Sequence, residues 1–248
     1  MKVLVLGGTG QARRLVAALH GRPEFTVTSS LAGRVAVPAL PQGDVRIGGF
    51  GGADGLVAWL RRHGTDVVVD ATHPFAVRMT ENAVAAGAAT GVPLLLLRRA
   101  GWTAGPGDRW HRVPDAVSAA AVLPALGERV FLTTGRGDLA AFAGLDRLWF
   151  LLRSVDPPPP PLPLRCEVIQ ARGPFTADAE RELLREHHID VLVTRDSGGE
   201  MTAAKLVAAR ELGVPVVMLA RPPAPAGPTV STVDEAVRWL EDRLPALL

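Results

Sequence analysis

The chain has 248 residues, 48% of them hydrophobic and 21% charged, with a formal net charge of +2, so it can bury a sizeable core as one large or two small domains. Its arginines are scattered and no Lys/Arg block forms a basic stripe, which excludes a nucleic-acid binder. A single cysteine, Cys166, excludes an intramolecular disulfide and a thiolate metal cluster, and no other metal ligand set is read; short apolar runs and the lack of a signal-peptide pattern point to a cytoplasmic protein with no membrane span.

The first element is an apolar strand from Lys2 to Leu6 that breaks into Gly7-Gly-Thr-Gly-Gln-Ala-Arg13. Gly7, Gly8 and Gly10 let the backbone turn sharply. The free N–H groups and positive dipole end of the next helix suit a pyrophosphate, with Thr9, Gln11 and Arg13 beside it. The spacing is not the full G-x-G-x-x-G, so a plain tight turn is the alternative. The helix spans about 10–20, with Leu15, Ala18 and Leu19 on one side, and Pro23 ends it.

The second strand, Phe25 to Ser29, ends where dinucleotide-binding units select their cofactor. NAD-selective units carry an acid here; this chain has Ser29, Ser30 and, close by, Arg34. Hydroxyls and a guanidinium accept a 2′-phosphate, so NADPH is favoured over NADH, unless Arg34 is a solvated loop residue. A short strand at 44–47 leads to Gly48-Gly-Phe-Gly-Gly52, which either approaches an adenine or only connects to the helix at 53–63. The strand 66–70 runs into Ala71-Thr-His-Pro-Phe-Ala76, where Pro74 starts a helix continuing to about Ala89. Thr72 and His73 can reach a nicotinamide or its ribose; His73 is either a proton donor or a packing residue.

A strand at 92–98 is followed by Trp102 and Trp110, which wall a pocket or pack in the core. A helix at 115–126 closes the first half, with the domain boundary near Gly127. Strands at 129–133, 148–153, 167–171, 190–194 and 214–219 alternate with helices, the grammar of parallel βαβ units. Asp156 to Pro163 is an extended connector. The fold expected is α/β, with two Rossmann-like domains, 1–127 and 128–248, each a mostly parallel sheet flanked by helices, and a ligand cleft between them.

Three strand ends in the second half carry polar or flexible residues that should share one sheet edge: Thr133-Thr-Gly-Arg136, Arg172-Gly-Pro-Phe-Thr176 and Thr194-Arg-Asp-Ser-Gly-Gly199. Thr176 is placed as an N-cap of the helix 177–187. Gly198 and Gly199 allow an anion-binding nest of N–H groups before a helix at 201–212. Lys205 lies in that helix, as an anion ligand or a solvated lysine.

Gly7 to Arg13, Asp70-Ala-Thr-His-Pro-Phe-Ala76, Arg172-Gly-Pro-Phe175, Thr194 to Gly199 with Lys205-Leu206, and the strand Val216 to Pro222 together resemble the precorrin-6A reductases of cobalamin biosynthesis, in order and spacing over nearly the whole chain. Gln11 stands where that family commonly has glutamate, and Arg195 where it has lysine. The resemblance implies an NADPH-dependent oxidoreductase that delivers hydride to a contracted, polycarboxylate tetrapyrrole. It assigns 1–127 to NADPH and 128–248 to the macrocycle. Thr134, Arg172, Gly173, Arg195, Ser197, Gly198, Gly199 and Lys205 are then candidates for the substrate, and His73, then Asp196, for the proton. The cobalt-containing substrate of the anaerobic route and a non-catalytic NADP-sensing regulator are the alternatives, and the chain is expected to be a monomer or weak homodimer.

Overall fold

A computed structural model describes residues 1–33 and 42–244. In chain order it contains β1 (Lys2–Leu6), α1 (Gly10–Leu19), β2 (Thr26–Leu31), β3 (Asp44–Ile47), α2 (Ala53–His63), β4 (Val67–Asp70), α3 (Val77–Thr90), β5 (Leu94–Leu97), β6 (Trp110–Val113) and α4 (Ala116–Val122). There follow β7 (Arg129–Leu132), β8 (Trp149–Ser154), β9 (Cys166–Gln170), α5 (Ala177–Glu186), β10 (Val191–Arg195), α6 (Ala204–Leu212), β11 (Val216–Leu219), β12 (Thr229–Val230) and α7 (Val233–Glu241). No helix among the described residues is long and apolar enough to cross a membrane.

The strands form two six-stranded sheets, ordered β12-β5-β4-β1-β2-β3 and β6-β11-β10-β7-β8-β9. Every pairing within them is parallel. Read from its far edge, each has the doubly wound order of a dinucleotide-binding fold, with a switch point where the order reverses. In the first sheet that point lies between β1 and β4; in the second it lies between β7 and β10.

A parallel sheet covered on both faces needs strands that are apolar throughout. β1 shows why: Val3 and Val5 pack with Leu15, Val16 and Leu19 of α1 and with Ala236 and Leu240 of α7. Leu4 and Leu6, on the opposite face, meet Leu56 and Leu60 of α2 and Ala83 and Ala86 of α3. Val16 takes the core position expected of Ala18, which is exposed. In the second sheet Phe131, Leu151, Leu192 and Met218 pack with Leu184 of α5 and with Leu206 and Ala209 of α6. Phe150, on the other face of β8, meets Phe142 at 6.1 Å between ring centroids.

The expected boundary at 127 is corrected. The compact units are Met1–Ala100 with Pro222–Leu248, and Gly101–Arg221. β6 pairs with β11, about a hundred residues further on, so Trp110 to Val113 belong to the second unit. β12 pairs with β5, and α7 covers α1, so the last elements return to the first unit. Smaller shifts have local causes. His73 to Ala76 form a hydrogen-bonded turn, with Ala76 N–H donating to His73 O at 2.7 Å, so α3 starts at Val77 and not at Pro74. Pro124 converts the end of the helix expected at 115–126 into a 3-10 turn, Leu123–Ala125. A 3-10 turn, Glu200–Thr202, likewise precedes α6. Thr176 is the N-cap expected, accepting from Ala179 N.

α7, the helix that returns to the first unit, opens with a capping box. Thr232 Oγ1 accepts from Glu235 N, and Glu235 accepts from the N–H groups of Ser231 and Thr232 at 2.9 and 3.0 Å. Those backbone donors, reinforced by the two hydroxyls, hold the Glu235 carboxyl down at about 2. A carboxylate depressed on folding adds stability above its ordinary range, and that stability is lost as pH falls through the folded value. Glu235→Ala should therefore lower the melting temperature at neutral pH, with the difference from the parent closing as pH falls from about 4.5 toward 2; thermal melts across that range check it.

Candidate functional site

In the first unit the switch point brings together the glycine turn after β1 and the turn after β4. Thr9 joins them: its hydroxyl donates to Ala71 O at 2.7 Å and accepts from Ala12 N at 3.1 Å as the cap of α1. Thr9 is thereby a buried clamp on the turn. Gly8 has φ +103, a conformation L side chains rarely adopt, and nothing lies within 4 Å of where its Cβ would be. Gly7 packs against Leu31 and Ala12, and its N–H donates to Ser30 O. Gly10 begins α1, whose first turn has no acidic residue to neutralise its positive end. Arg13 is half-buried in that turn. Gln11 is committed elsewhere: buried, it donates to Ser231 O at 2.8 Å.

Ser29 and Ser30 are both buried at the end of β2. Among the described residues Ser29 Oγ has no hydrogen-bond partner, whereas Ser30 Oγ lies 3.3 Å from Arg46 Nη1. Arg46 also donates to the carbonyls of Gly48 and Gly49, and its guanidinium lies 3.7 Å from the Phe50 ring centroid. Burial pushes its pKa down. Arg46 is a cation beside the serines that the sequence reading passed over; its signal was its place in β3, in register with Ser30. Arg34 lies outside the described residues. In the loop from Gly48 to Gly52, which leads into α2, the carbonyls of Gly48 and Gly49 are held by Arg46.

The turn after β4 is organised by Asp70, another residue missed. Its buried carboxylate accepts from Thr72 N at 3.0 Å, Thr72 Oγ1 at 2.7 Å and Thr80 Oγ1 at 2.6 Å. Those bonds fix Thr72 and so the path of His73 and Pro74. His73 Nδ1 accepts from Phe75 N at 3.3 Å, which puts the ring proton of the neutral imidazole on Nε2. Arg98, after β5, donates to Pro222 O; burial pushes its pKa down while Asp70 opposes the shift.

In the second unit, Thr134 follows β7, its buried hydroxyl without a partner among the described residues. Across the switch point, the residues after β10 are held from several sides. Arg195 pairs with Asp138 at 2.7 Å. Asp196 is 5% exposed; it accepts from Trp102 N at 2.9 Å, faces Arg112 Nη1 at 3.0 Å and Arg221 Nε at 3.7 Å, and its backbone carbonyl accepts from Arg221. A Cβ on Gly101 would lie 2.8 Å from its Oδ2. This is a brace holding the Gly101-Trp102 segment to the end of β10. Ser197 is buried, and Gly198, at φ +62, turns the chain toward Gly199, which caps the 3-10 turn before α6.

Gly173 brings the third motif to the same place: a Cβ there would lie 3.1 Å from Met201 O and 3.2 Å from the Phe175 ring. Arg172 is exposed beside it. Phe175 covers the Arg153 guanidinium at 3.8 Å, and Arg153 makes a buried two-pronged pair with Glu180, neither residue having been picked out from sequence. Trp102 and Trp110 both pack against the core. Lys205 is buried, with its Nζ 5.3 Å from the Trp102 ring centroid.

Residues 2–241 match the family model described as Precorrin-6x reductase CbiJ/CobK. A precorrin-6A reductase from Rhodococcus erythropolis is 54% identical over 96% of this chain and 97% of its own length. A cobalt-precorrin-6A reductase from Priestia megaterium is 31% identical over 96% and 97%. The solved structure of a CobK precorrin-6A reductase, 46% identical, superposes with a TM-score of 0.92 over 98% of this chain and 96% of that one. With half its length far exceeded by the family match and its architecture shared with a solved member, the chain belongs to the precorrin-6x reductase family.

Proposed function

We propose that the protein reduces precorrin-6A to its dihydro form with NADPH, as a cytoplasmic enzyme. The observation that carries this reading is the glycine turn at the first switch point, within a chain matched to the reductase family over residues 2–241. Gly8 leaves open space in front of the turn, and the first turn of α1 offers N–H donors without a competing acid. These residues fit a pyrophosphate. Ser30 with Arg46, and no carboxylate at the end of β2, favour a 2′-phosphate. Relatives named precorrin-6A reductase are 44–54% identical, and those named cobalt-precorrin-6A reductase 29–31%. That gap supports the metal-free substrate.

When bound, NADPH supplies the hydride, and one proton from the protein or solvent balances the reduction. Gly7, Gly8 and Gly10 would hold the pyrophosphate, while Thr9 and Asp70 keep the two turns in place without touching it. We assign proton delivery to His73, which as an imidazolium would give up its Nε2 proton and return to a neutral ring whose Nδ1 accepts from Phe75 N, ahead of Asp196, whose oxygens are engaged by Trp102, Arg112 and Arg221. Arg172 and Arg195, by their charge, the Ser197 to Gly199 turn, by its backbone N–H groups, and Thr134, whose hydroxyl has no partner among the described residues, are assigned to the carboxylates of the macrocycle.

Anaerobic incubation with NADPH and precorrin-6A, followed by NADPH absorbance and product mass, tests the reaction; unchanged absorbance and mass would refute it. NADPH should bind at least about tenfold tighter than NADH, and Arg34→Ala should remove most of the difference; equal affinities in the parent would sink the 2′-phosphate assignment. Arg172→Ala should raise KM for the macrocycle about tenfold while sparing NADPH affinity, and the reverse pattern would move that motif to the cofactor. His73→Ala should lower kcat by about a hundredfold or more, measured in single turnovers; full retained turnover would leave His73 a packing role.

A further inference from the structure

The turn after β7 in the second unit, Thr133-Thr-Gly-Arg-Gly-Asp138, stands where the first unit has its Gly7 to Gly10 turn, directly after a strand at the switch point. The two turns are filled differently. Beside Gly8 there is open space, suited to a pyrophosphate. Beside Gly135 and Gly137 lies the Arg195 guanidinium: a Cβ on Gly137 would meet Nη2 at 3.4 Å, and one on Gly135 would lie 4.0 Å from Nη1. Gly135 also has φ +79, a conformation L side chains rarely adopt.

Asp138 ends this turn and holds the same guanidinium. Its Oδ2 accepts from Arg195 Nε at 2.8 Å and from Nη2 at 2.7 Å, so one oxygen takes two hydrogens on one edge of the guanidinium plane. A single bond would let the plane swing about it; two on the same edge fix its direction. Asp138 stands at the N-cap of the 3-10 turn Leu139–Phe142, yet its carboxylate makes no cap bond there. Its place is set by the residues after it: Leu139 and Phe142 are buried, and Phe142 packs on Phe150 of β8.

The carboxylate has two effects of opposite sign. As a charge 2.7 Å away it offsets part of the guanidinium's attraction for a second carboxylate. As a fixed acceptor it removes, before a ligand arrives, side-chain freedom that binding would otherwise have to take away. With the two side chains 23% and 21% exposed, water screens the first effect and leaves the second.

We propose that Asp138 is a positioning residue for reduction of the macrocycle: it presents the Arg195 guanidinium in one orientation to a substrate carboxylate and acts only through that side chain. The proposal rests on the reading that Arg195 takes a macrocycle carboxylate. A lysine at 195 would carry the same charge but offer no plane to orient.

The test measures KM and kcat for precorrin-6A with NADPH, anaerobically, in the full-length parent and its variants. Asp138→Ala should raise KM about tenfold and change kcat less. Asp138→Asn, which keeps an oxygen acceptor without the charge, should recover most of that loss. The ion pair is gone in both, so a role confined to stability would lower both melting temperatures and raise both KM values alike. Arg195→Met should raise KM at least as far as Asp138→Ala does. Adding Asp138→Ala to it should change nothing further, because the carboxylate then has no guanidinium to hold. Equal losses in Asp138→Asn and Asp138→Ala, a further loss in the double variant, or a KM no higher in Asp138→Ala than in the parent overturns the positioning role. A parental KM in Arg195→Met overturns instead the reading beneath it, and the proposal with it.

Discussion

Parallel pairing throughout both sheets is the constraint from which the rest of the architecture follows, because it sends the carboxyl end of every strand in a sheet to one edge. Residues far apart in the chain are gathered there without any contact being specified between them. In the first unit this joins the Gly7 to Gly10 turn to Thr72 and His73, and in the second it joins Thr134 to Arg195 through Gly199. The same constraint requires both faces of each sheet to be covered, which explains why β1, β4, β10 and β11 are apolar in nearly every position.

At each switch point one buried carboxylate organises the edge. Asp70 ends β4 and gathers two threonine hydroxyls and a backbone N–H; Asp196 follows β10 and gathers a backbone N–H and two guanidinium groups. Neither position tolerates an unpaired acid, since a buried carboxylate without donors or counter-ions is strongly disfavoured. Each is satisfied by the loop it holds, and so acts on geometry. Among the described residues, the polar groups left with spare capacity are different ones: the hydroxyls of Ser29 and Thr134 and the indole N–H of Trp110, with no partner, and Lys205, with its charge unpaired.

That division matches the way functional sites depart from the most stable arrangement. A core optimised for stability would bury neither an unpartnered hydroxyl nor a lone ammonium, and such departures are expected where a ligand completes the structure. The Arg153–Glu180 pair serves the opposite end: fully paired and capped by aromatic rings, it gives the α5 side of the second unit a fixed polar feature.

The sequence by itself determined the features that depend on neighbouring residues. The glycine turn, most strands, the Thr176 cap and the α/β alternation all follow from local apolarity, φ preference and capping chemistry, and the order of the polar turns was enough to resemble one enzyme family. Only the tertiary structure decided where the units divide, because β6 is a short, polar strand whose partner lies a hundred residues away and β12 has two residues. It also decided that Gln11 serves Ser231, 220 positions distant, and that Asp196 serves Trp102 and Arg112. A side chain's type announces what bonds it can form. Which partner takes them up depends on burial and long-range pairing, and those exist only once the chain has folded.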